Sequence, residues 1–428
     1  MLLGRPRRAN EELGVADRRK TGPGGVFASD TRAERCRVDP DYSPRVAVLV
    51  DTATGWGRSI VRGVASYREG QSPWQIWVEP TGPGETHRPP ASWQGDGIIA
   101  RVTSVAMARE LRQYNVPIVN VSGIHLPGSP LPTVTNDLEA AARMAADYFL
   151  EWGFRSFGYV GWKSFPHVRE HYESFAGVLG KAGHACPSFA LGDGRLAASG
   201  WLKQQQDLAL WLSRLAKPAA IFCWARQGRA ILDACELARL NVPNQIAVLT
   251  GDDDELLYSV CSPKLSGIAQ AGQQIGRLAA ETLWRLICGE TLGTVKLKVK
   301  PTHVAVRVST DTLAAGDPEV AEAIRFIREK ASDGIQIGDV ADHVAMSRRS
   351  LERRFMQALG RSPADELRRV RLRRALMLLT TSSHSIPRIA EMSGFSSGIY
   401  LAQVVRQGTG MTPREYRSRN RVVGAADQ

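Results

Sequence analysis

Nothing in this sequence is apolar for the roughly 18 residues that a membrane-spanning helix needs. The opening "MLLGRPRRAN" also lacks the apolar centre of a secretory signal. A chain with neither feature is expected in the cytoplasm, away from any membrane. Cysteine is scarce: six in 428 residues (Cys36, Cys186, Cys223, Cys235, Cys261, Cys288), with no C-x-x-C pair and no histidine at metal spacing. That argues against a zinc site and for free, mostly buried thiols in a reducing compartment. Catalytic fingerprints are missing too. There is no G-x-S-x-G, no P-loop, and no G-x-G-x-x-G after a strand. "GETHR" and "HVREH" bring carboxylates and histidines together, and Asp252–Glu255 reads "DDDE". Adjacent residues of an extended segment point to opposite faces, which is the wrong geometry for a metal cluster. No enzyme, metal or cofactor is expected.

Positive charge is what the chain does have, and it is unevenly placed. The net charge is +12. Residues 318–428 hold 19 Lys+Arg against 12 Asp+Glu, residues 45–317 hold 27 against 24, and the first 44 hold 9 against 7. More than half of the excess sits in the last quarter, which points to a polyanionic partner there. Residues 1–44 show no periodicity and read as a disordered basic extension, with a DNA-grazing arm as the alternative.

From Arg45 the pattern is strand, helix, strand. "RVAVLV", "QIWVEP", "GIIARV", "PIVNVS", "FGYVGW", "AAIFCW" and "IAVLTG" are buried-strand signals, separated by helical stretches such as "DLEAAARMAADYFLEWG". Such alternation implies parallel sheets covered on both faces, and about 270 residues of it suggest two α/β lobes. Ligands of such folds sit beyond the carboxyl ends of the strands, where "DTATGWGR", "GWKSFPHVREH", "WARQG" and "GDDDE" fall. "VKLKVKPTHVAVRVSTD" alternates with period two and predicts a strand or hairpin closing the region. "AAGDP" then breaks the pattern. The expected organisation is an effector-binding domain over 45–315, a helical domain over 316–420 and a tail over 421–428.

"MSRRSLERRFMQALGRSP" (Met346–Pro363) packs five arginines into a short helix. Leu351, Phe355 and Leu359 form one apolar stripe, Ser347 is a candidate N-cap, and Gly360 ends the helix. Ile337, Val340, Ala341 and Val344 precede it at short-helix spacing. Together they predict a helix-turn-helix whose second helix enters the major groove. The pattern then recurs. Ile337, Val340, Ala341 and Met346 match Ile386, Ile389, Ala390 and Phe395, 49 residues on. Leu351, Phe355, Gly360 and Pro363 match Leu401, Val405, Gly410 and Pro413, 50 residues on. One extra residue in the second turn explains the slip. "PADELRRVRLRRALMLLTT" between the units, with Leu367, Val370, Leu372, Ala375, Leu376 and Leu379 on one face, predicts a long connecting helix. Two recognition helices on a rigid spacer can enter successive major grooves, about 34 Å apart. Some arginines would face phosphates, and one or two would reach guanine O6/N7.

On "IAEMSGFSS" and "GMTPREYR" the last hundred residues resemble the AraC/XylS family of DNA-binding regulators. The resemblance places base reading on Arg349, Glu352 and Arg353, flanked by Arg348, and on Ile399, Tyr400 and Gln403, flanked by Ser397. Val405 and Gln407 depart from the usual Phe and Lys, and Gly398 weakens the second helix by about 1 kcal/mol relative to Ala. On "RVAVLVDTATGWGRSIVRGVASY", "GDGIIARV" and "PKLSGIAQAGQQIGRLAAE" the earlier region resembles the LacI-type, periplasmic-binding-protein-like sensor of xylose-operon activators. This implies a transcription regulator, an activator by resemblance, acting as a homodimer on double-stranded operator DNA with RNA polymerase as a further contact. A small polar effector, a sugar or a related molecule, would sit between the lobes. The family's sugar-binding Asp falls on Asp252. Its Asn-Asp pair falls on Trp224 and Ala225, and its cleft Arg on His171, with Arg169 near enough in sequence to replace it. Trp56, Trp162 and Trp224 are candidates to stack on a sugar or to fill core. A non-sugar effector, a sensor that has lost its ligand, an α/β enzyme fused to a DNA-binding domain and a nonspecific architectural DNA binder remain as alternatives.

Overall fold

The computed structural model describes residues 42–67, 74–80, 88–124, 126–128, 130–162, 166–192, 198–224, 227–292, 295–312 and 317–420. The expected extension lies outside the described residues except for 42–44, and so does the tail 421–428.

Short aliphatic runs form the strands because a sheet covered on both faces buries every side chain of its central members. The chain opens with β1 (Arg45–Leu49), α1 (Gly55–Ala65), β2 (Gln75–Trp77), β3 (Gly97–Ala100), α2 (Val105–Arg112), β4 (Ile118–Asn120) and β5 (Thr133–Asn136). A second lobe follows: α3 (Leu138–Glu151), β6 (Ser156–Trp162), α4 (Pro166–Lys181), β7 (Ser188–Leu191), α5 (Ala198–Arg214), β8 (Ala219–Cys223), α6 (Gln227–Leu237), β9 (Ile246–Thr250), α7 (Glu255–Ser259) and β10 (Ser266–Ala269). The chain then returns to the first lobe through α8 (Gly272–Ile287) and β11 (Lys296–Val299), and to the second through β12 (His303–Ala305).

Each lobe holds one six-stranded sheet, in the orders β11-β5-β4-β3-β1-β2 and β12-β10-β9-β8-β6-β7. All pairings are parallel except β10 with β12. Of the two expectations for this segment, a strand or a hairpin, the hairpin is corrected. β11 joins β5 in one lobe while β12 joins β10 in the other, so "KPT" (300–302) is a crossing between lobes. Period-two alternation marks an edge strand but not its neighbour, which topology chooses. In the first lobe α1 crosses α8 so closely that a Cβ on Gly63 would stand 2.1 Å from the Gln273 carbonyl, and one on Gly276 would stand 2.2 Å from that of Ile60.

Cys186, Cys223, Cys235 and Cys261 are free. Cys288, half-buried just past the end of α8, is disulfide-bonded, which corrects the expectation of six free thiols.

The helical domain begins at α9 (Pro318–Lys330), capped by Asp317 with proline at the first position. The first helix-turn-helix is α10 (Ile337–His343) and α11 (Arg348–Leu359). α12 (Pro363–Thr381) is the connecting helix, and its 19 residues span about 28 Å at 1.5 Å per residue. The second unit is α13 (Ile386–Met392) and α14 (Gly398–Thr409), followed by α15 (Pro413–Asn420). Leu351 and Phe355 are buried in a core that runs on through Val320, Ile324 and Ile327 into Phe149, Trp152 and Phe154 of the second lobe. The second unit has its own core of Ala375, Leu379, Ile389, Ala390, Phe395, Leu401, Val404 and Val405. The first unit is thus fused to the sensor. Arg328 stacks 3.6 Å over the Trp152 ring, and Arg361 donates to the Glu151 carbonyl at 2.8 Å.

Candidate nucleic-acid interface and effector cleft

Both turns are built alike. Ala345 (φ 51°) and Gly394 (φ 76°) take the left-handed conformation, and the next amide reaches back to Ala341 (2.9 Å) or Ala390 (2.8 Å). The extra residue of the second turn is Ser396, which falls after this shared geometry. Ser347 and Ser397 cap the recognition helices by accepting from the amides of Ser350 and Tyr400.

On α11, Arg348, Arg349, Glu352 and Arg353 are exposed and form no ion pair among the described residues. Arg348 leans back over Gly338 of α10, where an added Cβ would come within 2.4 Å of its guanidinium. The other two arginines of the stretch hold the fold. Arg354 pairs with Asp317 (3.1 Å) and Glu319 (3.3 Å), and Arg361 pairs with the buried Glu366 (2.7 Å). Of the five arginines, Arg348, Arg349 and Arg353 are thus the ones left exposed without a carboxylate partner among the described residues.

α14 presents a different surface. Leu401, Val404 and Val405 turn inward, so Val405 is a core residue of the second unit. Gly398 is the first helical residue, where its low propensity matters least. Ile399 is 84% exposed, Tyr400 is 40% exposed and edge-on to Phe395 at 5.7 Å, and Gln403 is exposed. Ser397 is exposed, with its hydroxyl engaged as the cap.

The cleft lies where the strand ends of the two lobes meet. Asp252 accepts from the Tyr258 hydroxyl at 2.5 Å. Its neighbours have separate work, as alternation along an extended segment requires. Asp253 pairs with Arg307 at 2.8 Å, and Asp254 caps α7. Asp254 also accepts from the Gly55 amide across the cleft at 2.8 Å and lies 3.7 Å from Arg58, which ties the lobes together. His171 is fully buried, 2.9 Å from the Tyr159 hydroxyl through Nδ1 and 5.0 Å from the Trp224 ring centre. Burial, helped by His167, lowers its pKa to about 3. Burial, helped by Arg101 of the first lobe, lowers that of His167 to about 4. Both imidazoles are neutral at pH 7, and Nε2 of His171 has no hydrogen-bond partner among the described residues.

Asp252, His171 and Trp224 therefore gather in the second lobe. Trp56 stands across from them in the first lobe, its indole N–H donating to Asn136 at 3.4 Å. Arg169 does not join them. It is 75% exposed and pairs with Glu173, because helical spacing that turns His167 and His171 inward sends a residue midway between them outward. Trp162 packs against the second lobe's core, and Ala225 lies outside the described residues. Sequence reasoning missed the Arg101–Asp51 pair (3.1 Å) and the bridging role of Asp254. The "GDDDE" segment was the available signal for the latter. A separate cavity of about 810 Å³ opens between sensor and reader, lined by residues that include Asp147, Lys300, His303, Arg369 and Arg373. Neither Asp252 nor His171 lines it. Among the described residues no cluster of three or more His, Cys, Asp or Glu can hold a metal, and no helix is long and apolar enough to cross a membrane.

Three family descriptions match the chain: an XylR N-terminal domain over residues 45–136, a periplasmic binding protein-like domain over 146–310, and a helix-turn-helix domain over 340–419. The xylose operon regulatory protein of Escherichia coli strain K12 is 30% identical over 393 residues, covering 88% of this chain and 97% of that one. Its Haemophilus influenzae counterpart is 28% identical over 381 residues, covering 87% and 98%. A solved structure of the xylose-binding transcription activator xylR aligns with a TM-score of 0.58 at 29% identity, covering 89% of this chain and all of that one. A LacI family transcriptional regulator from Mycobacterium smegmatis shares the sensor fold, with a TM-score of 0.50 at 16% identity over 62% of this chain and 98% of that one.

Proposed function

This chain belongs to the family of xylose operon regulatory proteins and is a DNA-binding transcription regulator; from that premise we propose that a small polar effector, a sugar or a related molecule, binds between its lobes and sets how it engages its operator. Residues 45–315 act as the sensor and 316–420 as the reader. Asp252, His171, Trp224 and Trp56 hold the effector. Arg348, Arg349, Glu352 and Arg353 of one helix, and Ser397, Ile399, Tyr400 and Gln403 of the other, meet DNA. The protein works in the cytoplasm as a homodimer and an activator with RNA polymerase as its further contact, and it carries out no catalysis. The observation that carries this reading is the pair of matched units, with bare recognition faces, joined by one 19-residue helix.

A second reading concerns the effector alone. Where relatives place polar clamps, this cleft has the indole of Trp224 beside a neutral, fully buried His171. An unmet hydroxyl costs about 1–3 kcal/mol when buried, so this lining suits a less hydroxylated ligand than a pentose. Gel shift against the gene's own upstream region, with and without a panel of pentoses and sugar acids, tests both. A shift altered by a panel member supports the first reading. A specific shift that none of them alters leaves the second. No preference over scrambled duplex rejects both.

A further inference from the structure

The two recognition helices present opposite chemistries at equivalent positions. Counting 50 residues on, Arg349 corresponds to Ile399 and Arg353 to Gln403. Between Gly394 and Val405 there is no charged residue, while Arg348–Phe355 carries five. Ile399 is the most exposed large hydrophobic side chain among the described residues. Isoleucine is among the residue types most often buried, and its β-branch lowers helix propensity. It takes no part in the second unit's core. The fold therefore gains nothing from an isoleucine at this place. An apolar partner on the facing surface would account for it.

The major groove offers one apolar group that distinguishes base pairs, the C5 methyl of thymine. Gln403 lies four residues after Ile399, on the same helix face, and a glutamine amide matches adenine N6 and N7. We propose that the second recognition helix reads an A·T subsite, with Ile399 packed on a thymine methyl and Gln403 on an adenine, while Arg349 and Arg353 read guanine in the first subsite. The operator is then asymmetric in composition. This rests on the DNA-binding reading above and adds which bases each helix selects.

The test uses the full chain. Duplexes selected from a randomised pool should show two blocks about one helical turn apart, one with guanine and one with A·T pairs. In the selected duplex each thymine is then replaced singly by deoxyuridine, which removes only the methyl. At one position wild-type affinity should fall about fourfold, the value of one buried methyl-sized group. Ile399→Ala should bind the thymine and deoxyuridine duplexes equally. Its fold is not at stake, since the side chain is solvent-facing. Gln403→Ala should relax selection at a neighbouring adenine. The proposal is overturned if no thymine methyl matters, or if Ile399→Ala still loses affinity when the methyl is removed. It is also overturned if only a guanine block is selected, a result that leaves the regulator reading standing. Failure to enrich any sequence would overturn both.

Discussion

At the scale of single residues, the arginines divide by partner. Arg353 has no ion pair among the described residues, and Arg354, its neighbour, has two. Arg353→Ala should weaken operator binding by about 1–3 kcal/mol and binding to random duplex much less, as fluorescence anisotropy on both would show. Arg361→Ala should instead lower stability, since buried Glu366 would lose its close partner and keep only Arg369 at 4.0 Å, while the ratio of specific to random binding stays unchanged. Asp252→Ala should remove the effector response with DNA affinity intact. A further expectation concerns acid. His171 and His167 titrate near 3 and 4 in the folded chain but near 6.5 when unfolded. Between pH 6.5 and about 4 the unfolded state therefore binds more protons. Stability should fall through that window by up to about 1.4 kcal/mol per pH unit for each histidine. Urea midpoints measured across it, with His171→Gln showing a shallower slope, check this. The apolar stripe and the caps were legible because they follow helical spacing. The destinations of Arg354, Arg361 and Arg169 were not, because a spacing rule says which face a charge lies on and not which distant carboxylate or carbonyl meets it.

At the scale of elements, the connecting helix could be read to its ends, since Ser362 before Pro363 is a strong start signal and the apolar positions continue to Leu379. The joint between the two units could not. Arg371 of α12 donates to the carbonyls of Ala331 (2.9 Å) and Ile335 (2.7 Å). Gly394 packs there too, and an added Cβ would stand 2.0 Å from the Ala331 carbonyl. This joins the second turn to the end of α9 and fixes one unit's pose on the other. Gly394→Ala adds a left-handed alanine, about 1–2 kcal/mol, to that clash. It should reduce operator affinity more than binding to a duplex holding one subsite, while the helical signal in circular dichroism stays near wild type. Equal losses on the two duplexes would count against the joint. The same limit of local reading explains the false hairpin at β11 and β12.

At the scale of the whole molecule, the sensor and first unit share a core through Trp152, Phe149, Ile324 and Phe355. A tenfold change in operator occupancy needs a coupling of about 1.4 kcal/mol, a small share of what such a core stores. Trp152→Ala should cost about 3–5 kcal/mol and speed hydrogen exchange in α10 and α11 as well as in α3, while α14 stays protected. Exchange confined to α3 would mean the two parts are not joined energetically. The most direct measurement moves one subsite relative to the other. Five base pairs are inserted between the two halves of the selected operator and the dissociation constant is compared with the uninterrupted duplex. A rigid 19-residue spacer predicts that affinity drops to that of a duplex with a single subsite, because the second groove now faces away. Unchanged affinity after the insertion would contradict paired reading along one face of DNA.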